Sequence, residues 1–367
     1  MNEREPSSSS SASVNLLPRS SAPPPRRGRS SEKDDEAIRS TDTDAALARL
    51  SAASLGYIDD PFVPLLLRDP APSPAVRRPP WVNIGTHHRT YVLDTLIRHF
   101  LCSPSPIDPT TGERRPKQVL SLGAGSDSRF WRLRHQWADD WPVRMWVETD
   151  FEQCTAAKAR AVIRNDQLIK TCGRLLRPSE DGRSELYTEH YSLIPSDLRK
   201  PLPDLPLDPN AYTLIIAELV LVYLPPSEAE ACLKNLIERL APSPVMLLSY
   251  EALDLGDGFS KVMVQNLKAR GLAMAGMAVN SSMAALADRF RRMGFDRSMS
   301  IDMESLRTEA FVKGWAEELE RVRRIERIDE LEELLLVLAH YAVSWAVVRA
   351  AAGTGQHTVG GFGLPSL

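Results

Sequence analysis

The chain has 367 residues, 43% of them hydrophobic and 25% charged, the proportions of a globular protein long enough for a sizeable core. A formal net charge of −3 gives no electrostatic case for nucleic acid or an anionic membrane, and no apolar run approaches the length of a membrane span. Cys102, Cys154, Cys172 and Cys232 lack CxxC spacing and the seven histidines lack ligand spacing, so reduced thiols in a cytoplasmic or nuclear setting are expected, with no structural metal. His87 and His88 are adjacent, which predicts that their side chains diverge.

Residues 1–40 are rich in Ser, Pro and Arg and end in the charged run Glu32-Lys33-Asp34-Asp35-Glu36. Such a segment buries too little apolar area to offset chain entropy, so a disordered tail is expected, with order beginning near Thr41. Residues 44–50 carry an alanine-rich helical period that Gly56 breaks. After a proline-rich loop at 70–80, residues 89–100 read as an amphipathic helix with Leu93, Leu96, Ile97 and Phe100 inward. A turn-rich stretch, 104–116, then leads into the apolar strand Gln118-Val119-Leu120-Ser121-Leu122.

That strand runs into Gly123-Ala124-Gly125, and a helix starts near Ser128. A side chain at either glycine would block close approach of a ligand to the backbone, although a tight turn alone also asks for glycine. A second apolar run ends in Glu148-Thr149-Asp150. An acid at that separation from the loop suits the two hydroxyls of a ribose, and a helix N-cap is the plainer use of it. Beyond it the chain alternates helix and strand. A helix at 151–167 precedes a short strand at 185–191, which leads to Ser196-Asp197-Leu198; a central strand follows at 213–218. Ser227, with Glu230 three residues on, caps a helix at 227–240, and a buried strand at 245–250 ends in Glu251. Helices around 283–293 and 315–333, a final apolar stretch at 340–349 and a loose tail at 353–367 complete the chain. The alternation predicts right-handed βαβ crossovers in a mostly parallel sheet with helices on both faces.

A nicotinamide dinucleotide would want GxGxxG, and here the third position is Ser128. S-adenosylmethionine has no pyrophosphate, so its loop need only approach the amino-acid end and the ribose. Its carboxylate then calls for an arginine, whose planar fork binds carboxylates through two bonds.

At this point the residues converge. Leu122-Gly123-Ala124-Gly125-Ser126-Asp127 with Phe130-Trp131-Arg132-Leu133, Val147-Glu148-Thr149-Asp150-Phe151, the run from Ala217-Glu218 to Tyr223-Leu224, Tyr250-Glu251 and Gly256-Asp257-Gly258-Phe259 occur in that order. In these strings the chain resembles the leucine carboxyl methyltransferases, over roughly residues 41–350. The resemblance implies a class I methyltransferase fold, Rossmann-like, with an N-terminal helical lid and one methyltransferase domain at 41–352. It also implies methyl transfer from S-adenosylmethionine to the C-terminal leucine carboxylate of the type 2A protein phosphatase catalytic subunit, whose tail would be the partner. A related enzyme acting on a small-molecule carboxylate or hydroxyl is the alternative.

By the same similarity Arg89 clamps the cofactor carboxylate, Gly123 lies under the methionyl portion with Gly125 also on the cofactor, and Asp150 holds the ribose. Asp197 and Leu198 flank the adenine, and Glu218 faces the amino group. Arg49 stands where the family commonly has a lysine, which keeps the charge and changes the donor geometry. Asn83-Ile84-Gly85-Thr86 departs from the family's N-R-G-Y-like string before the clamping arginine. For Asp197 a turn is as good an explanation as binding, Arg49 also fits a solvated helix face, and Trp131 reads as core. A leucine α-carboxyl, with a pKa of about 3.3–3.7, is already an anion at neutral pH, so transfer needs no general base. Arg89 and Tyr223 are the candidates for aiming it, though Tyr223 also suits buried scaffold. Residues 41–89 and 250–293 are expected to build the lid. In the second stretch Met263, Met274, Met277 and Met283 suit either a peptide tail or a helical core.

Overall fold

The structure is a computed structural model that describes residues 28–67, 77–177, 184–240, 242–308, 314–329 and 331–349. The expected tail at 353–367 and most of the expected N-terminal tail lie outside the described residues. The chain opens with three helices, α1 (Gly28–Ser54), α2 (Val63–Leu66) and α3 (Pro80–Cys102). It continues through β1 (Lys117–Leu122), α4 (Arg129–Trp137), β2 (Val143–Asp150), α5 (Glu152–Arg164), α6 (Asp166–Cys172) and the short strands β3 (Leu175–Arg177) and β4 (Leu186–Thr188). Next come β5 (Tyr191–Pro195), β6 (Tyr212–Glu218), α7 (Pro226–Leu240), β7 (Val245–Ala252), α8 (Gly258–Ala269), α9 (Met283–Arg292) and β8 (Arg297–Asp302). Three helices, α10 (Met303–Thr308), α11 (Trp315–Arg323) and α12 (Leu331–Ala339), precede the last strand, β9 (Tyr341–Val348).

Among the described residues nine strands form one sheet in the order β3-β4-β5-β2-β1-β6-β7-β9-β8. Its centre, β5-β2-β1-β6-β7, is parallel, and antiparallel pairs finish both edges. Every residue of β1 is buried, because helices cover both faces. Alternate side chains separate cleanly: Val119, Trp146, Leu214, Ile216 and Leu248 join one core with α3, α4 and α6. Leu120, Val147, Ile215, Ala217 and Leu247 join the other with α7 and α9. The period of two along each strand assigns each residue to its face. Trp131 is fully buried in the first core, its indole N–H donating to Leu168 O at 3.0 Å. The chain leaves β1 for β2 on one side and later returns to β6 on the other, so the carboxyl ends of β1, β2 and β6 bracket a topological switch point.

Several element expectations are corrected. Helical order begins at Gly28, ahead of Thr41, because Asp35 of the charged run and Asp42 and Asp44 beyond it find partners on the body of the protein. The predicted helix at 151–167 is broken at Asn165, whose side chain accepts from the amides of Gln167 and Leu168 and caps α6. The single strand read at 185–191 is instead the short β4 followed by β5, which pairs parallel with β2. Ser227 lies inside the first turn of α7, which Pro226 opens, so it is no N-cap. The helix at 315–333 is two helices. Strand β8, an edge strand with an irregular polar pattern, went unread.

The histidine pair also departs from expectation. His87 Nδ1 lies 3.1 Å from His88 Nδ1, His87 Nε2 lies 2.7 Å from Glu318 Oε1, and His88 Nε2 lies 2.6 Å from Arg307. A guanidinium only donates, so His88 Nε2 accepts and its Nδ1–H donates to His87, which donates in turn to Glu318. Both rings are therefore neutral, and the packing of α10 and α11 against α3 draws the two side chains together.

Candidate functional site

The carboxyl ends of the parallel strands open into one cavity, with α1 laid across it. Arg49, Arg89, Gly123, Gly125, Asp150, Asp197, Leu198, Glu218 and Tyr223 all line that cavity. Their order along the sheet edge follows the strand order. Asp197 follows β5, Asp150 ends β2, the glycine turn follows β1 and Glu218 ends β6. Three inter-strand steps make this row about 14 Å long at a spacing of about 4.8 Å per strand.

The glycine turn is required twice over. Gly123 has φ of 59° and Gly125 of 45°, the left-handed region. A Cβ on Gly123 would overlap Val220, and one on Gly125 would overlap the Asp42 carboxylate. Asp150 is held by two amides, accepting from Gly125 N at 2.7 Å and Phe151 N at 2.6 Å. Burial raises its pKa and these two amides pull it back, leaving the carboxylate as an acceptor at the cavity wall.

Beneath the turn lies a network of buried charge. Arg129, fully buried, reaches Asp94 at 2.9 Å, Asp127 at 2.5 Å and Glu218 at 2.8 Å. Arg49 reaches Asp127 at 3.0 Å, and Arg132 reaches Asp94 at 2.6 Å. Burial works against the Glu218 anion, but the charges of Arg129, Arg89 and Arg49 outweigh it and hold its pKa below the ordinary carboxylate value. Arg89 Nε stands 2.9 Å from Glu218 Oε1 with its N–H not aligned on that oxygen, so the nitrogen keeps a free donor. A guanidinium with spare capacity beside an ionised carboxylate is the complement of an amino-acid zwitterion.

At the other end, Asp197 is gripped by its neighbour Arg199, whose Nε donates at 2.8 Å. Arg199 then pairs through both terminal nitrogens with Asp35 of α1, at 2.6 and 2.9 Å. The guanidinium groups of Arg199 and Arg39 lie over the Phe151 ring. Tyr223 ends a 3-10 turn, Leu221–Tyr223, that directly follows β6 and Glu218. Burial pushes its pKa up to about 12, so it is a proton-bearing donor and not a base.

The residues present therefore fit a nucleoside joined to an amino acid: a cradle that a Cβ would fill, an acceptor acid in mid-row, and an unspent arginine donor at one end. Several lining residues were missed from sequence. Ile38 and Arg39 stand in the segment read as a tail and Asp42 just beyond it, yet with Asp35, Ala46 and Arg49 they repeat at helical spacing, a stripe that composition concealed. Asp42 accepts from both the amide and the hydroxyl of Ser126, each at 2.7 Å. The stretch 250–293 does not line the cavity. Met263 and Met274 pack instead with Met277, Val222 and Tyr223 beside it, and Met283 joins the core on the α7 side.

A family model described as leucine carboxyl methyltransferase matches residues 37–237. The chain is 36% identical over 349 residues to the leucine carboxyl methyltransferase 1 of Cryptococcus neoformans, covering 85% of this chain and 93% of that one. It is 32% identical to the homologue from Arabidopsis thaliana, covering 85% and 89%, and 29% identical to the Bos taurus protein, covering 86% and 91%. The chain belongs to the leucine carboxyl methyltransferase family and is a methyltransferase with S-adenosylmethionine as its cofactor.

Proposed function

We propose that this enzyme esterifies the α-carboxylate of the C-terminal leucine of the type 2A protein phosphatase catalytic subunit. The carrying observation is the row Asp197, Asp150, Gly123, Glu218 along one sheet edge, with Arg89 and Tyr223 beside its Glu218 end. In this reading Leu198 and Asp197 take the adenine end, Asp150 the ribose, and Gly123 and Gly125 the backbone approach. Glu218 takes the amino group, and Arg89 and Arg49 neutralise the carboxylate. When bound, S-adenosylmethionine supplies a methyl group on a positively charged sulfur.

The acceptor arrives already ionised, with a pKa of about 3.3–3.7, so no side chain has to remove a proton. Tyr223 retains its own proton and offers one hydrogen bond to the acceptor oxygen, which aims the carboxylate without burying it in strong bonds. The test is base-labile methyl incorporation from labelled cofactor into intact phosphatase and into phosphatase lacking its tail, with Asp150→Ala as control. Incorporation that ignores the tail, or that prefers a small carboxylic acid, overturns the reading.

A further inference from the structure

Glu251 has no part in the scheme above, yet it lies directly under the acceptor side. It is fully buried near the end of β7, one residue past Tyr250, which pairs with Glu218 across the sheet. Its Oε1 accepts from Ser249 Oγ at 3.1 Å. The amides of Leu221 and Val222 face the carboxylate, but Oε2 closes no well-aligned bond. Arg289 of α9, also fully buried, supplies the nearby positive charge. Its Nη1 donates to Asn280 Oδ1 at 3.1 Å, and Asn280 Nδ2 donates to Ala252 O at 3.1 Å.

The turn above this acid needs holding. Leu219 has φ of 50°, a left-handed conformation that a leucine adopts only at a cost. Its amide is tied to Tyr250 O at 2.8 Å. On another side the turn meets Gly276, where a Cβ would overlap Leu221 O. Residues Leu219, Val220 and Tyr223 of this turn face the cavity, and none of them belongs to a strand ladder.

We propose that Glu251 is a positioning residue for methyl transfer: its carboxylate anchors the Leu221–Tyr223 turn from below and so fixes the Tyr223 hydroxyl against the acceptor. This rests on the acceptor reading above and assigns the acceptor half of the site a support separate from that of the cofactor half. Glu251→Ala removes a buried anchor, so kcat/KM for the acceptor falls about 10- to 100-fold while affinity for S-adenosylhomocysteine stays within about twofold. Glu251→Gln keeps an oxygen toward the amides and recovers most of that loss. Gly276→Ala pushes the same turn from the opposite side and reproduces the acceptor-selective defect.

Hydrogen exchange reads the anchor without any acceptor: in Glu251→Ala, peptides spanning 219–224 exchange faster and peptides spanning 121–127 do not. Unchanged exchange at 219–224 overturns the proposal, as does a defect that weakens cofactor binding and turnover equally in Glu251→Gln and Gly276→Ala. Should wild-type enzyme leave the phosphatase unmethylated, the acceptor reading fails while the exchange result still decides the anchor.

Discussion

Two fully buried arginines, Arg129 under the glycine turn and Arg289 under the Tyr223 turn, start from the same penalty and end differently. Burial opposes the charge of both. Around Arg129 each donor group meets a carboxylate, and Asp127, Glu218 and Asp94 together hold its pKa well above the ordinary value. Among the described residues Arg289 has one hydrogen-bond partner, Asn280, and two unpaired nitrogens, so burial wins and its pKa falls. The acids mirror this. Asp94 resists burial because Arg132 and Arg129 bring it to about 2, whereas burial lifts Glu251 to about 8 against the weaker pull of Arg289. Pairing is closed under the glycine turn and incomplete under the Tyr223 turn.

Arg129→Met tests the closed side hardest. It takes the central cation from three acids and leaves each with one other arginine, and unfolding by urea should show a loss of about 3–5 kcal/mol. Arg289→Met strands one acid that already favours its neutral form, and the loss should be clearly smaller; equal losses would remove the contrast. Next in size is Asp150→Ala, for which calorimetry should show S-adenosylhomocysteine affinity about 10- to 100-fold weaker, the worth of a hydrogen bond to a charged group.

The two sides also answer pH in opposite directions. Glu251, raised from 4.5 to about 8, binds its proton more tightly when folded, so its contribution is complete below about pH 4.5 and lost as pH rises through 8. Asp94, lowered from 3.8 to about 2, contributes fully above about pH 3.8 and loses that contribution as pH falls through 2. Melting temperatures from pH 5 to 9 should therefore decline less in Glu251→Gln than in wild type, and parallel curves would contradict the assignment. The smallest effect belongs to Leu219→Gly. Relief of left-handed strain is offset by the greater freedom of glycine in the unfolded chain, and stability should change by less than about 1 kcal/mol.

Much of the cofactor half was readable in the chain itself. Gly123, Gly125, Asp150 and Glu218 sit at ends of apolar runs, and the length of a strand puts such ends on one edge of a parallel sheet. Tyr223 could be named for its nearness to Glu218. The charges that secure them were not readable as a set, because Asp60, Asp94, Asp127 and Arg129 are scattered over two helices and two loops and meet only when α3 packs on the sheet. The lid helix was misread because composition describes what a segment does alone, and α1 is held by partners such as Arg199, Ser126 and Arg270 that are distant in sequence.

Local chemistry thus determined the parallel sheet, the glycine turn and the acids at its edge, since strand periodicity and the left-handed preference of glycine act over a few residues. Tertiary structure alone decided which buried charges would meet. Whether Arg129 is fully satisfied and Arg289 is not depends on angles and distances between elements far apart in the chain, and a buried ion's energy changes sign with them.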